Sequence, residues 1–264
     1  MDINTLVLIT AFLFGGIVGS FLNVVILRLP KEDASVVFPA SHCPECKTEL
    51  HWYENIPVLS YLVLRGKCHH CKTSISLQYP VVELSMALLS TALVQKFGLS
   101  ISSGGYFLFT AALLVIIWID LYHQIIPDVI SLPGIMLGFI FSLAGPALHW
   151  QSSLLGILAG GGILYTIALL YLLWRKVDGM GGGDIKLLAM IGAFLGWQAL
   201  PFVIFASSVS GTLVGLLAML KQKTGSQTRI PFGPFLSIAA LTYLLFQEQI
   251  WVLYQLYLSY SFPS

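Results

Sequence analysis

Charge is what this sequence has least of. Only 9% of its 264 residues are Asp, Glu, Lys or Arg, against 57% hydrophobic. Soluble domains carry about 25% charged residues, so this chain cannot cover a water-facing surface, and lipid is the alternative solvent. Its apolar runs also lack the alternating polarity of transmembrane strands. That absence excludes a barrel and leaves helices, which satisfy their own backbone groups in lipid. No basic stretch precedes the first apolar run, where Asp2 is the only charge, and Arg28 and Lys31 follow it. This reads as a retained first helix, not a secretory signal. A net charge of +1 with no concentrated basic patch excludes nucleic acid as a partner.

What is present is a series of long apolar segments. A hydrocarbon core of ~30 Å needs about 20 apolar residues per helix. Leu6–Ile26, Val129–Leu148, Leu154–Trp174, Leu200–Leu220 and Phe232–Tyr257 meet that length. Val81–Phe97 and Gly104–Leu121 are shorter, and Ile185–Trp197 is the shortest. Together they predict eight spans. The positive-inside rule orients them. With the N-terminus outside, twelve of the thirteen basic residues face the cytoplasm and only Lys96 does not. Omitting the sixth span would move Lys221, Lys223 and Arg229 to the outer face, so charge supports keeping it.

Residues 29–80 form the one sizeable polar stretch and hold all four cysteines, as Cys43-Pro-Glu-Cys46 and Cys68-His-His-Cys71. Each pair makes a turn that aims two thiolates at one ion, and two such turns complete a tetrahedral site suited to zinc. The 21-residue separation is close to a zinc ribbon. Disulfides are disfavoured in a reducing cytoplasm, and no βαβ pattern accompanies a redox CxxC. His69 and His70 are read as bystanders. Four thiolates make a closed, structural site, and so short a segment needs such a staple. The predicted organisation is an all-α polytopic membrane protein: first helix 1–28, cytoplasmic zinc-binding domain 29–80, and membrane domain 81–264.

Acidic residues are scarce, and five of the twelve lie in the polar stretch. An ionisable group in or beside a span is a functional hypothesis by default. Asp120 ends the third span and Asp184 opens the sixth, after the run Gly179-Met180-Gly181-Gly182-Gly183. Topology puts both at the cytoplasmic end, so the two can meet. Carboxylates that share a site cannot both ionise easily. One then takes a proton from water while the other donates to a carbonyl, an aspartic-protease arrangement. Glycines beside them permit close approach of a peptide chain. Each aspartate also has a plainer reading: Asp120 as a headgroup-level charge, Asp184 as a helix N-cap. Asp128 fits the N-terminus of the fourth helix, Asp178 a solvated loop, and Glu83 the dipole at the start of the second span.

These residues resemble the bacterial type IV prepilin peptidases, the leader peptidase/N-methyltransferases of the GxGD intramembrane aspartic class. The resemblance runs from about Gly15 to Pro234. It includes Gly19-Ser20-Phe21-Leu22-Asn23, both cysteine pairs, Asn55-Ile56-Pro57, Leu64-Arg65-Gly66-Lys67 and Tyr79-Pro80-Val81-Val82-Glu83-Leu84. It continues through Asp120 to Asp128, Gly181-Gly182-Gly183-Asp184-Ile185-Lys186 and Ile230-Pro231-Phe232-Gly233-Pro234. It implies that Asp120 and Asp184 are catalytic, with Gly181, Gly183, Asp128 and Lys186 in support. It implies cleavage of prepilin or pseudopilin leaders at the cytoplasmic face of the bacterial inner membrane, and methylation of the new N-terminus from S-adenosylmethionine. The cysteine segment looks like the family's zinc-binding domain, with Cys43, Cys46, Cys68 and Cys71 as ligands. No nucleotide fingerprint marks an S-adenosylmethionine site. Asn23 and Glu54 are its only candidates, and each is equally well read as satisfying local backbone. Two other classes compete: a proton-coupled transporter, whose sites lie nearer the midplane, and a scaffold whose zinc domain binds a partner.

Overall fold

The computed structural model describes residues 2–31, 35–144, 148–176, 181–222 and 231–261. Asp178, Gly179, Met180, Lys223, Arg229 and Ile230, which enter the sequence argument, lie outside the described residues. The described residues are helical with two isolated β-bridges and no strand. Eight helices of 14 residues or more among the described residues follow the order of the eight predicted spans. Among the described residues, five helical stretches are long and apolar enough to cross a membrane: Ile3–Arg28, Ile101–His123, Trp150–Arg175, Trp197–Leu220 and Gly233–Leu256. The chain divides into two compact units, Met1–His123 and Gln124–Ser264.

The first unit holds α1 (Ile3–Arg28), the short α2 (Leu59–Val63), α3 (Gln78–Phe97) and α4 (Ile101–His123). Helices in lipid gain little from hydrophobicity and instead pack through small residues. Here α1 meets α3 along Gly15 and Gly19. A Cβ added at Gly15 would stand 2.7 Å from the Met86 carbonyl oxygen, and one at Gly19 2.7 Å from the Glu83 Cα. Ser90 Oγ donates across the seam to the Ala11 carbonyl at 2.9 Å. Asn23 Nδ2 donates to the Tyr79 carbonyl at 3.2 Å.

Glu83 departs from its predicted dipole role. The helix starts at Gln78, which leaves Glu83 beyond the first turn, where the dipole has little force. Its carboxylate is buried and accepts the Val58 N–H at 2.7 Å, so it ties the polar segment to α3.

The second unit holds α5 (Asp128–Ala144), α6 (Trp150–Arg175), α7 (Gly182–Leu195), α8 (Leu200–Gln222) and α9 (Gly233–Ser261). At 14 residues α7 is ~21 Å long, short of the hydrocarbon core. Every residue from Leu187 to Leu195 is buried. A helix apolar on all sides belongs inside protein, and α5, α6 and α9 pack against it. Glycines permit this closeness. Gly156 and Gly192 face each other with no room for a Cβ on either. A Cβ at Gly160 would lie 2.6 Å from the Leu188 carbonyl oxygen, and one at Gly138 2.8 Å from the Ala193 Cβ. Ser153 Oγ donates to the Ala193 carbonyl at 2.7 Å.

Candidate functional site

The four cysteines sit on two copies of one loop. Each has the sequence Cys-x-x-Cys-Lys-Thr, at 43–48 and 68–73. In both, the lysine amide donates to the first cysteine's carbonyl, at 3.0 Å for Lys47 and 3.1 Å for Lys72. The first cysteine's amide then donates to the threonine carbonyl, at 3.0 Å for Cys43 and 2.8 Å for Cys68. Both lysines take left-handed backbone angles, φ 59° and 61°. That reversal lets a six-residue loop close on itself. Antiparallel bridges His42 to Glu49 and Lys67 to Ser74 flank the loops.

The loops bring all four Sγ atoms within 4.8 Å of one another, and none is in a disulfide. Cys43 Sγ lies 3.8 Å from Cys71 Sγ. Four ligands at ~2.3 Å, the usual zinc–sulfur bond, would stand about 3.8 Å apart at tetrahedral angles. The donor set therefore fits a tetrahedral thiophilic cation. Its acid–base chemistry fits as well. The Thr73 hydroxyl, then the Thr73 amide, holds the Cys71 thiol down to about 6. The Thr48 hydroxyl and amide lower Cys46 in the same way. The Cys46 amide favours a Cys43 thiolate, but burial and neighbouring thiols outweigh it and push Cys43 up to about 11. Cys71 is thus prepared as a thiolate, Cys46 is shifted the same way, and Cys43 is a ligand that a cation must deprotonate.

The acidic residues are placed by helix ends. Asp120 lies in the last turn of α4 and is buried, at 5% exposure. Asp184 is in the first turn of α7, but the N-cap is Gly181, so Asp184 does not cap the helix. Its amide donates to the Gly181 carbonyl at 3.2 Å, and its Oδ2 stands 3.8 Å from where a Gly181 Cβ would be. A Cβ at Gly181 would thus be in ordinary van der Waals contact with the Asp184 carboxylate. At Gly183 a Cβ would meet the Ile126 Cβ at 2.9 Å. Asp128 is the first residue of α5, as expected, and both its oxygens accept from Lys186 Nζ at 2.7 Å. The second unit therefore gathers Gly181, Gly183, Asp184, Asp128 and Lys186 around the α5 and α7 N-termini. Asp120 belongs to the first unit.

Asn23 and Glu54 are engaged internally. Asn23, 1% exposed, binds the Tyr79 carbonyl and lies 3.5 Å from Gln78 Nε2. Glu54 closes the 3₁₀ turn Trp52–Asn55, its Oε2 accepting the His51 amide at 2.9 Å. Sequence reasoning missed both lysine–threonine pairs that complete the cysteine loops, although the repeated Cys-x-x-Cys-Lys-Thr was visible.

Comparison with known proteins yields two adjoining family matches. Residues 13–97 match the bacterial peptidase A24 N-terminal domain, and residues 107–216 match the type IV leader peptidase family. A prepilin leader peptidase/N-methyltransferase of Stutzerimonas stutzeri is 42% identical over 91% of this chain and 91% of its own. The Pseudomonas aeruginosa protein of the same name is 41% identical over 90% of each chain. One from Neisseria gonorrhoeae is 37% identical over 91% of each. No solved structure matches the chain. With identity at this level across nine-tenths of its length, the chain belongs to the type IV leader peptidase family.

Proposed function

We propose that the protein is a prepilin peptidase that removes the leader from type IV prepilins or pseudopilins and then N-methylates the new N-terminus. The observation that carries this reading is the pair of family matches in one chain, at about 40% identity to proteins named for both activities. Asp120 and Asp184 are the acid–base pair. The ionised aspartate takes a proton from the attacking water, and the protonated one donates to the scissile carbonyl. The burial of Asp120 supports this role, since a positioned acid or base works best shielded from bulk water. Gly181 leaves the backbone before Asp184 without a side chain, which suits an extended peptide, and Gly183 lets Ile126 pack against the start of α7. The Lys186–Asp128 pair braces α7 against α5 and so holds the Asp184 helix in register.

The protein spans the bacterial inner membrane with its N-terminus outside and residues 29–80 in the cytoplasm. A prepilin keeps its apolar helix in lipid and its basic leader in the cytoplasm, consistent with the positive-inside rule. Zinc on Cys43, Cys46, Cys68 and Cys71 organises the cytoplasmic segment and takes no part in peptide cleavage. S-adenosylmethionine supplies the methyl group.

The test is leader loss from a prepilin incubated with the protein in detergent. Asp120→Asn and Asp184→Asn are each expected to slow cleavage by about 10²–10⁴-fold, the usual contribution of a positioned acid or base. Methylation of pre-cleaved pilin should persist in both. Cleavage at the parent rate in either variant would sink the pair.

A further inference from the structure

The cysteine segment holds a second cluster that neither the peptidase nor the four-thiolate site uses. Glu54 is the buried residue of its turn, with a side chain only 3% exposed. Its Oε2 is satisfied by the His51 amide, but its Oε1 has no hydrogen-bond partner. A buried carboxylate oxygen left so is rare and costly. What faces it are two imidazoles: His69 Nδ1 at 3.5 Å and His70 Nε2 at 3.8 Å. These separations are too long for good hydrogen bonds. They are close to the spacing of ligands that share an ion, since metal–nitrogen and metal–oxygen bonds of ~2.05 Å at tetrahedral angles put ligand atoms about 3.3 Å apart. All three ligand atoms lie within 4.8 Å of one another. The rings stand at 90° to each other, centroids 5.2 Å apart, so neither blocks the other's nitrogen.

We propose that Glu54, His69 and His70 form a second cation site, distinct from the four-thiolate centre. One carboxylate oxygen and two imidazole nitrogens suit a divalent ion of borderline softness, such as Zn²⁺, Ni²⁺ or Cu²⁺, and not Mg²⁺ or Ca²⁺. The site differs in kind from its neighbour. Three protein ligands leave a coordination position open, and His69 and His70 are 56% and 37% exposed, so the open side faces water. An external donor can therefore reach this ion, whereas the thiolate centre is closed. Placing both histidines between Cys68 and Cys71 fixes them once the thiolate loop has formed, so the second site is assembled by the first.

The test uses the full chain in detergent. The thiolate centre is first filled with one equivalent of Zn²⁺, and Co²⁺ is then titrated in. The expected result is one further saturable equivalent with weak ligand-field bands and no sulfur-to-cobalt charge-transfer absorption. Glu54→Gln, His69→Ala and His70→Ala should each weaken it at least tenfold while the first equivalent of zinc stays bound. The two histidine variants alter exposed side chains, so they decide the matter even if Glu54→Gln disturbs the turn. The proposal is overturned if no saturable second equivalent binds. It is equally overturned if added cobalt shows sulfur charge transfer, or if His69→Ala and His70→Ala bind like the parent.

Discussion

The cysteine segment and α7 are both short, and they hold their shapes by opposite means. The segment has little apolar burial. Its two loops close through paired backbone hydrogen bonds and aim four sulfurs at one point. Helix α7 takes few directed contacts, among them the Ser153 hydrogen bond to Ala193 and the Lys186–Asp128 pair. It is held because nine consecutive residues fit against neighbours whose glycines allow backbone contact. One element depends on ligand chemistry and the other on shape. Agents that remove metal should therefore break the first and spare the second, and added volume should do the reverse.

The largest effect is expected from metal removal. Apparent binding energies for structural zinc are about 10–16 kcal/mol, more than a segment of this size retains without it. Chelation should collapse amide-exchange protection over residues 43–75 and leave residues 187–195 protected. Equal loss in both would mean the elements are not independently held. Next is volume. Gly192→Ala forces a methyl against the backbone of Gly156 and should cost about 1–3 kcal/mol in detergent unfolding. Gly162→Ala is its control on α6, where an added Cβ meets nothing within 4 Å. There the change should stabilise by up to about 1 kcal/mol, because alanine loses less entropy in a helix.

A smaller effect tests how the thiolates are prepared. Cys71 is held near 6, first by the Thr73 hydroxyl. A lowered thiol pKa means thiolate above that pH and thiol below it. In the folded loop Cys71 can therefore bind an ion at pH 7 without first losing a proton. In Thr73→Val zinc affinity should be several-fold weaker at pH 7 and converge with the parent above pH 9. Coincident pH profiles would remove the hydroxyl from the account. The least effect is expected from Lys186→Ala. Lys186 and Asp128 are 36% and 55% exposed, and exposed pairs contribute about 0–1 kcal/mol. A larger loss of stability would mean the pair does more than brace α7.

Much of this was legible in residue order. The apolar runs marked the helices, and the cysteine spacing marked the clustered sulfurs. The brevity of the sixth span also came through, because a span of 14 residues leaves few ways to be stable except inside protein. What did not come through depended on cross-chain geometry. Glu83 looked like a dipole charge because the start of α3 at Gln78 was not evident from apolarity alone. Asp184 looked like a plausible N-cap until Gly181 took that position. Glu54 met His69 and His70 only once α2 and the second loop had folded the intervening residues back. Some signals were visible and went unused. Gly15-xxx-Gly19, Gly134-xxx-Gly138 and Gly156-xxx-Gly160 are each spaced for helix contact.

The encasement of α7 bears on how the protein meets membranes of different thickness. Helices that face lipid answer a thicker or thinner bilayer by tilting. Along Leu187–Leu195, α7 presents no exposed surface to acyl chains, and its position is set by α5, α6 and α9. Hydrophobic mismatch then has no direct purchase on the helix that carries Asp184. Acyl-chain length can deform the periphery of the second unit while the packing of Gly183, beside Asp184, against Ile126 stays the same.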